Sequence, residues 1–175
     1  MHKELPMALH IVLFEPEIPQ NTGNIARTCA AIGASLHLVH PLGYSLDEKH
    51  LKRAGLDYWH LLTLVEHDSI DSFMREHKDD KLFFFTTKAH RLYSEVKYPE
   101  GDCYLIFGKE SRGISEHILI NQEKGCVRIP MLEEARSLNL SNTVAIAAYE
   151  YMRQQNFPSL LQDGTLHRLS WGQAT

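Results

Sequence analysis

A chain of 175 residues, 43% hydrophobic and 23% charged, has the composition of one globular unit able to bury a sizeable core. Its net charge of −4 has the wrong sign for coating nucleic acid indiscriminately, which needs clustered Lys and Arg against the phosphates. No apolar run approaches the roughly 18 residues needed to span a membrane, and the N-terminus lacks a long apolar h-region, so a cytoplasmic protein without membrane association is expected.

In chain order, Leu9 to Phe14 reads as a strand and leads into E-P-E-I-P-Q-N-T-G-N-I-A-R, residues 15–27. Two prolines hold this loop extended. Asn21 or Thr22 is positioned to cap a helix from Thr22 to Ile32, Gly23 and Asn24 allow backbone or ligand to come close, and Gly33 ends the helix. A dinucleotide-binding turn would carry G-x-G-x-x-G here, and Gly23 alone does not supply it. Arg27 sits in the second turn of this predicted helix, where a cation gains nothing from the positive helix end, so it is read as aimed at an anion or polar substrate. An ordinary surface arginine fits the same residues.

Ser35 to His40 is a second strand, and Asp47 to Leu56 a helix with Gly55 near its end. Lys49, His50, Lys52 and Arg53, followed by Tyr58 and Trp59, combine cations for phosphates with rings for bases, although a solvated helix face would carry the same charges. Leu61 to Val65 is read as a strand, Asp68 as the cap of the next helix, and Lys81 to Thr87 and Cys103 to Phe107 as buried strands. After the last of these comes L-I-F-G-K-E-S-R-G-I, residues 105–114, a sharp charged loop between Gly108 and Gly113 suited to packing against a ligand. It lacks the G-K-[ST] ending of a phosphate loop, which argues against ATP hydrolysis. A short helix near Ser115 to Asn121 follows.

The strand Cys126 to Pro130 should stop at its proline, and the polar loop beyond it launches a helix from Leu138 to about Gln155 with Ser137 and Asn139 as cap-type residues. Such a loop gathers backbone amides and a hydroxyl at a strand end. Strands alternating with helices give an α/β fold, mostly parallel, with helices on both faces and ligands beyond the carboxyl ends of the strands. Cys29, Cys103 and Cys126 read as reduced core residues. No metal is expected, because His37 and His40 point to opposite faces of their strand and no H-E-x-x-H or Cys/His spacing occurs among the 11 histidines.

Taken together, N-T-G-N-I-A-R (21–27), L-I-F-G-K-E-S-R-G (105–113), and R-I-P-M (128–131) followed by S-L-N-L-S (137–141) resemble the three ordered motifs of the SPOUT class of S-adenosylmethionine-dependent RNA methyltransferases. The opening H-I-V-L-F-E-P-E-I-P and the segment K-R-A-G-L-D-Y (52–58) narrow the resemblance to the tRNA wobble-nucleotide 2′-O-methyltransferases. It covers nearly the whole chain and implies one methyltransferase domain over residues 7–157, with 1–6 and 158–175 as tails, and a trefoil knot in the C-terminal half.

The resemblance also implies that Phe85, Gly108, Ile129, Ser137 and Leu138 contact S-adenosylmethionine, and that Asn21, Arg27, Glu110, Ser137 and Asn139 shape the active site. Arg27 becomes the candidate for activating the ribose 2′-hydroxyl. A guanidinium with a pKa above about 12 is a poor general base, so electrostatic stabilisation of the developing alkoxide, or alignment of the adjacent phosphate, is the preferred role. The expected substrate is the anticodon stem-loop of tRNA, with Lys49, Lys52 and Arg53 as RNA contacts. Another tRNA position or ribosomal RNA is the alternative within the class, and a non-catalytic RNA-binding or assembly module the alternative outside it. The helix after Asn139 is apolar nearly all round, more than one sheet layer buries, which predicts a homodimer through that helix.

Overall fold

The computed structural model describes residues 9–46 and 59–172. The helix expected over Asp47 to Leu56, together with Lys49, Lys52 and Arg53, lies outside the described residues. Six strands form one sheet: β1 (Leu9–Phe14), β2 (Ser35–Val39), β3 (Thr63–His67), β4 (Lys81–Phe85), β5 (Cys103–Phe107) and β6 (Cys126–Val127). Their order is β3-β2-β1-β5-β4-β6, and every pairing is parallel. The crossover direction reverses between β1 and β5, whose ends therefore open beside each other.

Alternate residues of the central strands feed two cores, as the twofold period of a strand requires. Leu9, Ile11, Leu13, Leu36, Leu38, Leu105 and Phe107 pack beneath helices α1 (Pro19–Ile32) and α4 (Leu140–Gln154), which supply Ile25, Cys29, Val144 and Ala148. On the other face Val12, Phe14, Phe84, Tyr104 and Ile106 meet Phe73 of α2 (Ile70–Glu76) and Leu119 of α3 (Glu116–Leu119). Cys29, Cys103 and Cys126 are buried free thiols, and loss of hydration pushes all three above the usual thiol range.

Several boundaries differ from the sequence reading for local physical reasons. Helix α1 begins at Pro19, with Ile18 at the N-cap, so neither Asn21 nor Thr22 caps it and Gly23 lies buried inside it. Proline at the first helical position has its φ already set and loses no donor there. Helix α2 is capped by Ser69, not Asp68, through a reciprocal pair in which Ser72 N donates to Ser69 Oγ and Ser69 N to Ser72 Oγ, each at 3.1 Å. Residues Trp59–Leu61 make a 3-10 turn, which moves β3 two residues beyond the expected Leu61. The ladder of β6 ends at Val127; Arg128 turns to residues before β5, donating to Arg91 O at 2.9 Å and accepting from Tyr93 N at 2.9 Å. Helix α4 starts at Leu140 behind Asn139, so Ser137 stands in the loop before it.

Candidate active site

The loops after β1, β4, β5 and β6 enclose a cleft of about 570 Å³ at the carboxyl edge of the sheet. Phe85, Phe107, Ile129, Leu138 and Leu140 give it apolar walls, while Asn21, Glu110, Ser137 and Asn139 supply polar groups. The volume is in the range of small-ligand clefts, roughly 300–1,000 Å³. All of the positions assigned to cofactor contact, and every assigned active-site residue except Arg27, therefore share one cavity. Arg27 is exposed on α1 and is not among the lining residues of this chain's cleft.

The polar side of the cleft is tied together through Glu110. Its carboxylate accepts from Glu17 N at 2.8 Å, Ile18 N at 3.1 Å and Asn21 Nδ2 at 3.2 Å, supplying the acceptor that the uncapped start of α1 lacks. Asn139 Nδ2 donates to Asn21 Oδ1 at 3.1 Å, and Asn139 Oδ1 accepts from Ser141 N at 2.9 Å and Asn142 N at 3.3 Å. The three residues thus lock the starts of α1 and α4 to the loop after β5. A second tie runs alongside: Glu17 accepts from Ser111 N at 2.9 Å and Ser111 Oγ at 2.8 Å, and these bonds hold the Glu17 carboxyl below its ordinary value. Lys109 pairs with Glu15 beside them.

Gly108 is required by its own loop, a different reason from the ligand packing expected. A Cβ there would lie 2.3 Å from Gly113 C and Ile114 N, and Gly113, at φ +67°, closes the loop by donating its N–H to Lys109 O at 2.9 Å. The sequence reading also missed Thr86, Lys88, Lys109, Arg112, Met131, Arg136 and Thr143, which line the same cleft. Lys109 and Arg112 were visible as charges in the glycine-bracketed loop. Lys88 and Thr143 were not, since only the pairing of β4 with β5 and the docking of α4 bring them near.

A parallel α/β sheet with a switch point, a cleft at its carboxyl edge and motif residues on four converging loops defines an α/β enzyme-like domain that holds a small ligand against a polar wall. Residues 8–149 match the model of the SpoU rRNA Methylase family, and the chain belongs to that family. It is 48% identical over 149 residues to a tRNA (cytidine(34)-2'-O)-methyltransferase of Saccharophagus degradans, covering 85% of this chain and 96% of that protein. A crystal structure from Bacillus anthracis is 49% identical with TM-score 0.82, covering 89% of this chain and 99% of that one. A structure described as giving insights into the 2-OH methylation of C/U34 on tRNA is 46% identical with TM-score 0.79, covering 87% of this chain and 99% of that one.

Proposed function

We propose that this chain transfers a methyl group from S-adenosylmethionine to the ribose 2′-hydroxyl of the wobble nucleotide, C34 or U34, of tRNA. The observation that carries the reading is the gathering of motif residues from positions 21, 85, 108, 110, 129 and 137–139 into one cleft, in a chain 46% identical to a structure described by that reaction. The cleft suits the donor chemically. Apolar walls from Phe85, Ile129 and Leu138 match a purine, and main chain at Gly108 and after Ile129 can be read by polar edges. When bound, S-adenosylmethionine supplies a methyl group on a positively charged sulfur, open to attack by an oxygen nucleophile.

This chain's residues then orient and stabilise. Glu110, Asn21 and Asn139 fix the wall against which a ribose would lie, and their mutual bonds remove the need to reorganise during reaction. Arg27 is assigned the developing 2′-oxyanion or the neighbouring phosphate. Its exposed place on α1, apart from its own cleft, favours action in the cleft of a second copy. Helix α4 supports such a homodimer by leaving Ile146 at 37% and Tyr149 at 48% exposure while its other face is buried. Lys49, Lys52 and Arg53 are assigned to the anticodon stem.

Residues 7–157 are taken as one methyltransferase domain with a C-terminal trefoil knot. The knot is supported by the segment after β4, which is held by Arg128 on one side and on the other by Gln154, whose side chain accepts from Tyr98 N at 3.0 Å and donates to Val96 O at 2.9 Å. Among the described residues no helix is long and apolar enough to cross a membrane, in keeping with work on tRNA in the cytoplasm. Incubation with methyl-labelled S-adenosylmethionine and total cellular RNA, followed by separation of tRNA from ribosomal RNA, tests the reading. Label in tRNA is expected; label confined to ribosomal RNA, or none, overturns it.

A further inference from the structure

Away from the cleft, four histidines that are dispersed in sequence meet beneath α2. The parallel register pairs His10 with Ser35 and His67 with Val39, so His10, His37 and His67 share one face of β1, β2 and β3 on a diagonal that steps two residues per strand, and His77, just after α2, closes over them. One ring nitrogen from each of His37, His67 and His77 lies within 4.8 Å of the others, and none of these residues lines the cleft. His37 and His67 are buried at 5% and 8% exposure.

The hydrogen bonds fix how the rings are oriented. His67 Nδ1 faces Glu76 Oε2 at 3.3 Å and His77 Nδ1 faces Asp80 Oδ2 at 2.7 Å, so both rings donate from Nδ1 and keep Nε2 as a lone pair. His10 Nε2 faces Asp102 Oδ1 at 3.3 Å, which leaves its Nδ1 as an acceptor toward His37 Nε2 at 3.1 Å. A row Asp102, His10, His37, His67, Glu76 thus has four contacts to fill, the last being His37 Nδ1 to His67 Nε2 at 2.9 Å. Three neutral imidazoles bring only three protons. The Ser35 hydroxyl, 2.7 Å from His10 Nδ1 and 3.3 Å from His37 Nε2, places no proton between those two nitrogens while it bonds either one.

A cation in the gap completes the set. We infer that His37 Nδ1, His67 Nε2 and His77 Nε2 form a binding site for a divalent transition metal, zinc before others, with water in the fourth position. His37 then donates from Nε2 to His10, His10 to Asp102, His67 to Glu76 and His77 to Asp80, and every contact has one donor and one acceptor. Each ligand would have a hydrogen-bonded partner on its far nitrogen, the arrangement that orients metal-binding imidazoles. Three nitrogens around tetrahedral zinc lie roughly 3.3 Å apart at Zn–N distances of about 2.0–2.1 Å, so binding requires the His37 and His67 nitrogens, which face each other at 2.9 Å in nearly coplanar rings, to part and tilt toward a common point, and the His77 nitrogen, within 4.8 Å of both, to draw in. Imidazole ligands suit zinc, copper and nickel, whereas magnesium and calcium favour oxygen. The site ties edge strand β3 to β2 and to the end of α2, a structural role distinct from methyl transfer.

The test is zinc titration of the metal-stripped full chain against a chromophoric chelator, with cobalt(II) substitution read by visible absorption. One ion per chain and a tetrahedral nitrogen-type cobalt spectrum are expected. His77→Asn, at a partly exposed ligand, should abolish binding, and Asp80→Asn should weaken it by about 10–100-fold, while His117→Asn should leave it unchanged. Absence of stoichiometric binding, an octahedral cobalt spectrum, or loss of binding in His117→Asn overturns the site. If His77→Asn does not fold, Asp80→Asn decides: unchanged affinity there also overturns it.

Discussion

Asn139 Nδ2 donates to Asn21 Oδ1 at 3.1 Å, a bond that joins the starts of two helices 118 positions apart in sequence. Since Asn139 Oδ1 also caps α4, one side chain serves both the stability of the helix and the shape of the cleft. Substitutions can separate these. Asn139→Ala should destabilise the fold by about 1 kcal/mol through the lost cap, and Asn139→Asp should restore the cap but not the donor to Asn21. Urea denaturation is expected to show near wild-type stability for the aspartate variant, and methyl-transfer assays a loss of activity in both.

Gly108→Ala tests the loop after β5. The added Cβ would meet main-chain atoms of Gly113 and Ile114 at 2.3 Å, which a backbone relieves only by moving. Overpacking of this kind costs about 1–3 kcal/mol, and the movement displaces Glu110 from the start of α1. Calorimetry should show S-adenosylmethionine affinity reduced at least about tenfold, the equivalent of 1.4 kcal/mol.

Glu17 predicts an acid limb. Its bonds to the Ser111 hydroxyl and amide hold its folded pKa below the ordinary glutamate range, so their contribution is complete above that range and is lost as the pH falls through the lower, folded value. Glu17→Ala removes the acceptor. Its urea midpoint should lie below wild type at neutral pH, and the difference should shrink on acidification.

Arg27→Lys separates positioning from proton removal. A lysine keeps the charge but loses the planar fork, so a guanidinium that aligns phosphate or oxyanion is poorly replaced. Turnover on intact tRNA should fall by about 100-fold, the scale of losing one donor to a developing oxyanion, with little change in its pH profile. Near wild-type turnover that follows the titration of the new lysine would contradict the positioning role.

The hydrophobic code carried most of the fold. Cys103–Phe107 is a central strand with every residue buried, and its apolar run and flanks mark both ends. The site was legible where motif residues follow strand ends, as at Gly108, Glu110 and Asn139, because parallel sheets collect such loops on one edge. Cap assignments failed where a distant group did the work: Glu110 serves the start of α1 from 92 positions beyond Ile18. The histidine cluster was hidden in the sequence for a related reason. His37 and His40 do diverge, His37 being buried and His40 bonded to Glu66 at the surface, but the relevant neighbours of His37 are on adjacent strands, at His10 and His67. Register, not spacing within a strand, creates that group.

The most direct measurement of the central claim compares two otherwise identical tRNA substrates, one with ribose and one with 2′-deoxyribose at position 34, in methyl transfer from labelled S-adenosylmethionine. Incorporation with the first and loss of it with the second is the predicted result. Equal incorporation into both would place the methyl group elsewhere and contradict the assignment.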